Sequence, residues 1–437
     1  MRVYILLLFL IVIVSCDTGN TIDAPSESYF VKFYGEDGDH QGVDFVVNGD
    51  GSFVLVGNER VLGAPLSQQI FVVKVDGQGM ILKQGSFGLA GDDFVKDIEL
   101  TPDGNIIIAA ENQKNVNDKD VYLITLSQDL SLLNSKQVGL KKMDGQESDE
   151  EVNSVTIIQN GYIVSGSTTA VSTTKQNDIR DALHLRFNNT LSLVDDKSGL
   201  WKHTSGLDNS EDVLIKMFEV NPFTYYGFGY TNTQRGTVLD YKYWAFSLGA
   251  SGLPTNNGSD LLDVIGDPIQ DEKLSNVIES PLQSGEGFVL SGVKRNSAGE
   301  SHSFIVKLQK SIFASGDVLE KSPTNLGDFS NVANANERMV NQTRMLPLAG
   351  GGFLLLTNSN SVSYDNLNIS LTKLDNNFSV TTQIPIFFGG AGDDFNGAIK
   401  ELSDGKIVIV GTMTLGGVSG QTKMVFMKLN SNGRLQE

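Results

Sequence analysis

Cysteine is almost absent from this chain of 437 residues. Its single thiol, on Cys16, excludes internal disulfides and cysteine-based metal clusters. Histidine is also scarce, and its four positions lack the spacing of metal ligands. They are His40, His184, His203 and His302. We therefore expect no cofactor, and the one alternative is a Ca²⁺ ion held by carboxylates.

Basic residues are the second shortage. Lys and Arg number 33 against 52 Asp and Glu, which gives a formal net charge of −19. Nucleic acids and anionic lipid surfaces attract basic patches, so this balance argues against both as direct partners and suits a cationic one. The sequence also has no Gly-x-Ser-x-Gly elbow, phosphate-binding loop or zinc motif. Enzymatic function is accordingly the least favoured hypothesis.

Residues 1–15 have the pattern of a secretory leader. Arg2 precedes an apolar stretch at residues 3–14, which is too short to cross a bilayer but typical of a signal peptide. The segment 13–16 resembles a bacterial lipobox, which implies that Cys16 carries lipid, such as palmitate, and becomes the mature N-terminus. The alternative is an ordinary secretory leader with a chance cysteine. The predicted organisation is a signal peptide at 1–15, a lipidated N-terminus and linker at 16–27, and one domain at 28–437.

One pattern recurs seven times at intervals of roughly sixty residues, without helical periodicity between the copies. Its clearest part is a nearly continuous apolar run that ends in a small residue. The seven runs begin at Phe53, Ile106, Tyr162, Tyr225, Phe288, Phe353 and Ile407. A nearly continuous apolar run is typical of a strand that is buried on both faces. The pattern predicts an all-β, seven-bladed β-propeller in which a neighbouring blade crowds the small residue.

The next strand of each copy also aligns, at a mostly polar position followed by an apolar residue. These positions are Lys74, Thr125, Arg186, Ser247, Lys307, Lys373 and Lys428. The last copy ends before its fourth strand, whereas residues 28–35 have the pattern of a fourth strand without a copy of their own. We therefore predict that residues 28–35 complete the last blade and close the ring.

The loops divide the ring into two unlike faces. Short Asp-Gly and Asn-Gly turns lie on one face, which we call the tight-turn face. Longer polar loops lie on the opposite face, the loop face, together with the crossings between blades. The predicted long loops are 58–69, 111–119, 167–181, 230–242, 358–368 and 412–423. Binding is expected on the loop face, the alternative being that these loops are tolerated insertions. The lipid would attach on the tight-turn side and leave the loop face pointing away from the membrane.

Acidic pairs recur where each copy begins. They are Asp92 and Asp93, Glu150 and Glu151, Glu211 and Asp212, Asp271 and Glu272, and Asp393 and Asp394, with Asp37 and Asp39 as a looser version. One interpretation is a carboxylate ring that binds Ca²⁺ or a basic partner. The favoured interpretation is structural, with each acid accepting hydrogen bonds from backbone amides.

Other candidates on the loop face are one histidine and two tyrosines. His40 lies beside Asp39, and the default expectation for it is a solvated loop histidine rather than a catalytic one. Tyr230 and Tyr241 have rings suited to stacking on a sugar or a peptide. Trp244, nearby, is expected to pack between blades.

Two copies, at 91–108 and 392–409, share Gly-Asp-Asp, Asp-Gly and an apolar triplet. Together with the Lys-Leu-Asn-Ser-Asn-Gly at 428–433, they resemble the repeats of secreted and lipid-anchored bacterial propellers. The resemblance is at repeat level over residues 28–437 and implies a binding or assembly module. The Trp-Asp dipeptides, the sialidase Ser-x-Asp-x-Gly-x-Thr-Trp box and the tryptophan repeat of quinoprotein propellers are absent.

Three hypotheses for function follow. The first is an outer-membrane lipoprotein that acts as a non-enzymatic scaffold or accessory subunit of an envelope assembly or importer, with a protein partner. The second is a surface lipoprotein that binds oligosaccharides or peptides. The third is a hydrolase or lyase with a carboxylate-based site, which fold alone never establishes.

Overall fold

A computed structural model describes most of the chain. The described ranges are 29–61, 67–116, 118–142, 145–170, 180–194, 199–201, 211–222, 224–232, 234–235, 238–239, 241–249, 271–282, 285–295, 301–309, 343–360, 366–381, 385–390, 392–416 and 420–436. Their regular structure is entirely β. Within these ranges no helix has the length and hydropathy needed to cross a membrane.

The strands form seven antiparallel sheets, the blades, which are arranged as a β-propeller and confirm the predicted fold. From the axis outward, blades one to three comprise β2 (Gly38–Val47), β3 (Phe53–Val61), β4 (Gln69–Val75) and β5 (Ile81–Phe87); β6 (Asp92–Leu100), β7 (Ile106–Asn115), β8 (Asp118–Leu126) and β9 (Leu132–Val138); and β10 (Glu150–Ile158), β11 (Gly161–Thr168), β12 (Asp181–Phe187) and β13 (Gly199–Trp201).

The remaining blades follow the same order. Blade four comprises β14 (Asp212–Asn221), β15 (Thr224–Thr231) and β18 (Lys242–Leu248), beside a hairpin of β16 (Gln234–Arg235) and β17 (Val238–Leu239); blade five, β19 (Asp271–Leu282), β20 (Gly285–Arg295) and β21 (Ser301–Gln309); blade six, β22 (Arg344–Pro347), β23 (Phe353–Asn360), β24 (Leu367–Leu374) and β25 (Ile386–Phe388); blade seven, β26 (Phe395–Glu401), β27 (Ile407–Thr414), β28 (Thr422–Leu429) and β1 (Phe30–Tyr34).

The N-terminal strand closes the ring, as predicted. β1 pairs antiparallel with β28, so that Phe30 lies opposite Lys428 and Tyr34 opposite Met424. Phe30 and Tyr34 are buried, and the Tyr34 hydroxyl donates to the backbone oxygen of Gly79 in blade one at 2.8 Å. Because β28 ends at a tight turn, the beginning of β1 lies on the tight-turn face.

The apolar core lies between blades rather than within them. In β3, Phe53 and Leu55 pack against blade seven, whereas Val54 and Val56 pack against blade two. Successive side chains of a strand point to opposite faces, so one apolar run serves two interfaces. Trp244 is buried between blades three and four, as expected. The near-continuous runs therefore arise from burial on both faces.

The tight turns have the predicted chemistry. The Asp50 carboxylate accepts the amide of Ser52 at 2.9 Å, and Asp404 accepts the amide of Lys406 at 3.1 Å. Gly51 and Gly405 have φ of 80° and 78°, which a residue with a side chain rarely adopts. One predicted long loop is wrong, however. The segment 111–119 lies mostly in β7 and β8, which extend to a short turn.

The inner strand carries a β-bulge at the same point in six blades. One extra residue stands opposite the end of the apolar run on the second strand. The bulged residues are Val43, Lys96, Asn153, Ile215, Ser275 and Gly397. A bulge bends its strand and turns a side chain in a new direction. Here the repeated bulge faces the ring axis.

The bulge explains the glycine that ends the apolar run in five blades, whereas blade two has Ala110 at this place. A Cβ on Gly166 would lie 1.8 Å from the backbone oxygen of Glu151, and a Cβ on Gly57 would lie 1.6 Å from that of Gln41. Both oxygens belong to the bulged strand of the same blade. The main crowding therefore does not come from a neighbouring blade, as the sequence had suggested. Thr357 takes this place in blade six, whose described inner strand has no bulge.

We predict that Gly166→Ala lowers the free energy of unfolding by about 1–3 kcal/mol, because the new methyl group must displace backbone. Gly49→Ala is the matched control, since a Cβ there meets nothing within 4 Å. Urea denaturation followed by fluorescence measures both variants. Equal stability of Gly166→Ala and the wild type would contradict the account of the bulge.

Candidate binding site in the central channel

The inner strands enclose a central channel, which contains a cavity of about 510 Å³. All seven blades contribute to the wall. One contributor from each is Val43, Lys96, Asn153, Ile215, Ser275, Arg344 and Gly397. Six of these are the bulged residues. The cavity lies toward the loop face, because the inner strands begin on that face and the bulge comes near their beginning.

Aromatic and polar side chains share this wall. Phe94, Tyr230 and Phe395 are half-buried there, between the amide groups of Gln41 and Asn153. Rings that are partly exposed in a concave wall offer flat apolar faces, and neighbouring amides offer donors and acceptors. The cavity therefore has the chemistry of a pocket for a small polar ligand with apolar faces.

The charged groups of this wall are all cations. Lys96, Lys273 and Arg344 line the cavity, and none of its described lining residues is acidic. Lys96 is balanced nearby, since its Nζ lies 3.0 Å from Oε1 of the buried Glu111. The other two have different partners.

Neutral oxygens hold Arg344. Its Nε donates to the backbone oxygen of Gly397 at 3.2 Å, and its Nη1 donates to that of Ser275 at 3.1 Å. These bonds tie blade six to blades seven and five. They use two of the five N–H donors of a guanidinium group, and a carbonyl oxygen carries no formal charge that would balance the cation.

Tyrosine rings surround Lys273. Its Nζ lies 3.9 Å from the ring centroid of Tyr241 and 5.6 Å from that of Tyr230, which is cation–π geometry. The Tyr241 hydroxyl donates to Glu211 Oε2 at 2.7 Å. Burial, followed by the Glu211 hydrogen bond, raises the pKa of the Tyr241 hydroxyl. Tyr230, Tyr241 and Glu211 were predicted from the sequence, and they cluster here. The lysine beside the two rings was not predicted.

In five blades the first acid of the pair joins its blade to the preceding one, whereas Glu211 of blade four accepts from Tyr241 of its own blade. Asp92 Oδ1 accepts the amide of Gln68 at 2.6 Å, and Asp393 Oδ1 accepts the amide of Leu367 at 2.9 Å. In each case the donor lies at the start of the third strand in the preceding blade. The same bond runs from Thr422 to Asp39, from Lys119 to Asp149 and from Tyr241 to Asp271. These are backbone-amide bonds of the kind that the structural interpretation predicts.

The second member of each pair is buried and stands three residues before the bulge. These residues are His40, Asp93, Glu150, Asp212, Glu272 and Asp394. Asp93 accepts the amide of Leu89 at 2.9 Å and the side-chain amide of Asn112 at 2.9 Å. Glu272 Oε2 lies 2.5 Å from Nζ of the equally buried Lys242. In this structure such carboxylates are not accessible to a ligand.

This register corrects two of the predicted pairs. The blade-three pair is Asp149 and Glu150 rather than Glu150 and Glu151. In blade one, His40 takes the place of the second acid, and the exposed Asp37 lies outside the pair.

His40 is therefore not a solvated loop histidine, as the sequence had suggested. It lies in β2 with only 1% of its surface exposed. Its Nε2 lies 3.4 Å from Glu59 Oε2, and its ring meets Phe71 edge-on.

A smaller cavity of about 220 Å³ continues the channel toward the tight-turn face. Asp44 and Asp97 line it together with Lys216 and Lys400. Burial raises the pKa of Asp97, whereas Lys216 opposes that rise. Across the described chain, no group of three or more His, Cys, Asp or Glu side chains is placed to hold a metal ion.

The sequence predicts one aromatic residue of this wall, Tyr230, but none of its cations. It identified Tyr230, Tyr241 and Glu211, which cluster, whereas Asp39, Asp92, Asp271 and Asp393 are spread around the ring. It missed Lys96, Lys273 and Arg344. In blades two and five a lysine follows the acidic pair within three residues, which could have indicated Lys96 and Lys273. The direction of a lysine side chain at this place depends on the bulge, however, which the sequence does not reveal.

No family model matches the sequence, and no curated protein matches it. Solved structures are similar in fold. Extracellular domains 1–2 of Drosophila Semaphorin 1a have 10% identity and a TM-score of 0.48, over 92% of this chain and 88% of that one. A GH93 α-L-arabinofuranosidase of Fusarium graminearum in complex with arabinobiose has 9% identity and a TM-score of 0.44, over 94% and 100%.

A protein of unknown function from Bacteroides caccae is also similar, with 10% identity and a TM-score of 0.31, over 80% of this chain and 94% of that one. At these identities the likeness concerns the fold alone.

The buried acids predict a pH dependence of stability. Burial raises the pKa of Asp93 from its ordinary value of 3.8 to about 6, so folded Asp93 keeps a proton that the unfolded chain releases between these values. The free energy of unfolding should therefore fall as pH rises through this window and level off above it. We predict that Asp93→Asn reduces the fall measured by urea denaturation between pH 4.5 and pH 7.5.

Asp404→Asn is the control for this measurement. The hydrogen bond from Lys406 lowers the pKa of Asp404, so its contribution is lost only below its ordinary pKa and should not alter the fall. An undiminished fall in Asp93→Asn would show that this carboxyl group is not its source.

Proposed function

We propose that this protein is a non-enzymatic binding protein that takes a short oligosaccharide into the loop-face end of its central channel. The supporting observation is the cavity wall, where Phe94, Tyr230 and Phe395 stand among amide and hydroxyl groups. Sugars present flat apolar faces edged with hydroxyl groups. Aromatic rings stack on such faces, and amides bond to such edges.

The size and composition of the cavity support binding rather than hydrolysis. A volume of about 510 Å³ falls within the range of roughly 300–1,000 Å³ that small-ligand sites occupy. Glycoside hydrolysis generally uses a pair of carboxyl groups that flank the bond to be broken. The described residues of this wall supply none, and buried acids beside it are engaged with other protein groups, Asp93 with amides and Glu272 with Lys242.

A protein scaffold is the second candidate, and a separate surface favours it. Five apolar residues on blades one and two each have 50–59% of their surface exposed. They are Met80, Ile81, Leu82, Leu132 and Leu133. They lie at the start of outer strands on the tight-turn side. Exposed apolar residues on outer strands are typical of association sites. A stoichiometric protein partner in native complexes purified from detergent-solubilised envelopes would support this candidate.

We also propose that lipid on Cys16 anchors the protein to the outer membrane. Residues 1–28 lie outside the described chain, and the support is the position of Phe30 on the tight-turn face. An anchor entering there would leave the channel mouth facing away from the lipid. Cys16→Ser should then release the protein from the membrane fraction into the soluble one, and retention in the membrane would contradict lipid anchoring.

The oligosaccharide proposal is tested by a glycan array followed by titration calorimetry. Phe94→Ala should weaken the binding of any oligosaccharide identified by about tenfold, because a stacking face is lost. Phe33→Ala is the matched control, since Phe33 is 44% exposed on the outer strand of blade seven. Absence of any bound oligosaccharide, or equal weakening by both variants, would contradict the proposal.

A further inference from the structure

We propose that the ligand of the channel is an acidic oligosaccharide, of the class that carries carboxylates on its sugar rings. This inference rests on the proposed function and names its ligand class. The first observation is a contrast of charge. The chain has a net charge of −19, yet the described wall of this cavity carries three cations and no acid.

Arg344 is held in a fixed position at the channel wall. Two backbone oxygens fix its guanidinium group from opposite sides, at 3.2 Å and 3.1 Å. A fixed guanidinium group is pre-organised to bind a carboxylate through two parallel hydrogen bonds. Among the described residues no carboxylate forms an ion pair with Arg344. The charge is therefore held at the channel wall by neutral groups, and the half-buried guanidinium group keeps N–H donors for an anion.

Lys273 adds a second charge on the same side. It precedes Ser275 by two residues in β19, and Ser275 supplies one of the oxygens that hold Arg344. The rings of Tyr230 and Tyr241 hold its ammonium group. An aromatic face and two cations therefore share one side of the cavity, and a sugar carboxylate presents the complementary pair of features.

Lys96 stands on the other side of the channel. Blade two lies across the ring from blades five and six, and its lysine is already paired with Glu111 at 3.0 Å. We therefore assign acid recognition to Arg344 and Lys273, with Lys96 contributing less. The inference is therefore tested by variants of Arg344 and Lys273.

The test uses a panel of oligosaccharides that are matched in length, half of them neutral and half containing uronic acids. The wild-type protein should bind members of the acidic half, with little or no binding of the neutral half. Affinity should fall steeply as salt is raised. Arg344→Gln and Lys273→Gln should each weaken binding about tenfold or more, since a charge-assisted hydrogen bond is lost.

Lys83→Gln is the matched control. Lys83 lies on the outer strand of blade one, where its Nζ donates to the backbone oxygen of Asp129, and its replacement removes the same charge far from the channel. Thermal unfolding checks that each variant folds. Because Arg344 links three blades, Lys273→Gln keeps the test valid if Arg344→Gln does not fold.

The possible outcomes distinguish failure of this inference from failure of the proposed function. Binding confined to neutral oligosaccharides would overturn the inference and leave the proposed function standing. Binding of acidic members that survives in the folded channel variants would also overturn it, because the acid would then bind elsewhere. Absence of binding to both halves would contradict the proposed function itself.

Discussion

The β-bulge in the inner strand is the constraint on which the rest of this structure depends. It adds one residue where six of the blades reach the axis, and the backbone oxygen before it lies where a Cβ opposite would stand at Gly57, Gly166 and Gly411. Glycine ends the apolar run in five of these blades, and Ala110 ends it in the sixth. The same bulge places one residue of each of these six blades at the channel wall. Packing at the axis and the chemistry of the cavity thus share one cause.

Burial of apolar side chains and hydrogen bonds to the acidic residues both hold the ring together. Apolar clusters fill the interfaces between blades, and in five blades the first acid of the repeated pair bonds to an amide of the blade before it. The second acid is sealed inside, where burial raises its pKa in the case of Asp93, Glu150 and Asp394. Acids that recur in the sequence therefore serve the scaffold. The charge of the cavity comes from residues that do not recur, among them Arg344 and Lys273.

This division explains what the sequence could and could not reveal. Blade number, strand order and tight turns depend on local patterns, which repeat and can be read one strand at a time. The closing strand was predictable because the last copy lacks a fourth strand and residues 28–35 have the pattern of one. The buried position that His40 shares with Asp93, three residues before the bulge, was not predictable, because it depends on strand register, and a one-residue shift moves every side chain to the other face. Lys273 and Arg344 lie 71 residues apart, and only the ring brings them to one wall.

The central claim is that the bulged residues face an open cavity whose described wall carries cations and no acid. It is tested most directly by the reaction rates of a single cysteine with anionic and cationic thiol reagents. In a Cys16→Ser background the chain has no other thiol, so Val43→Cys reports on the channel and Leu82→Cys on the outer surface. The account predicts that Val43→Cys reacts faster with the anionic reagent and Leu82→Cys does not. An unreactive thiol at position 43, or one that prefers the cationic reagent, would contradict it.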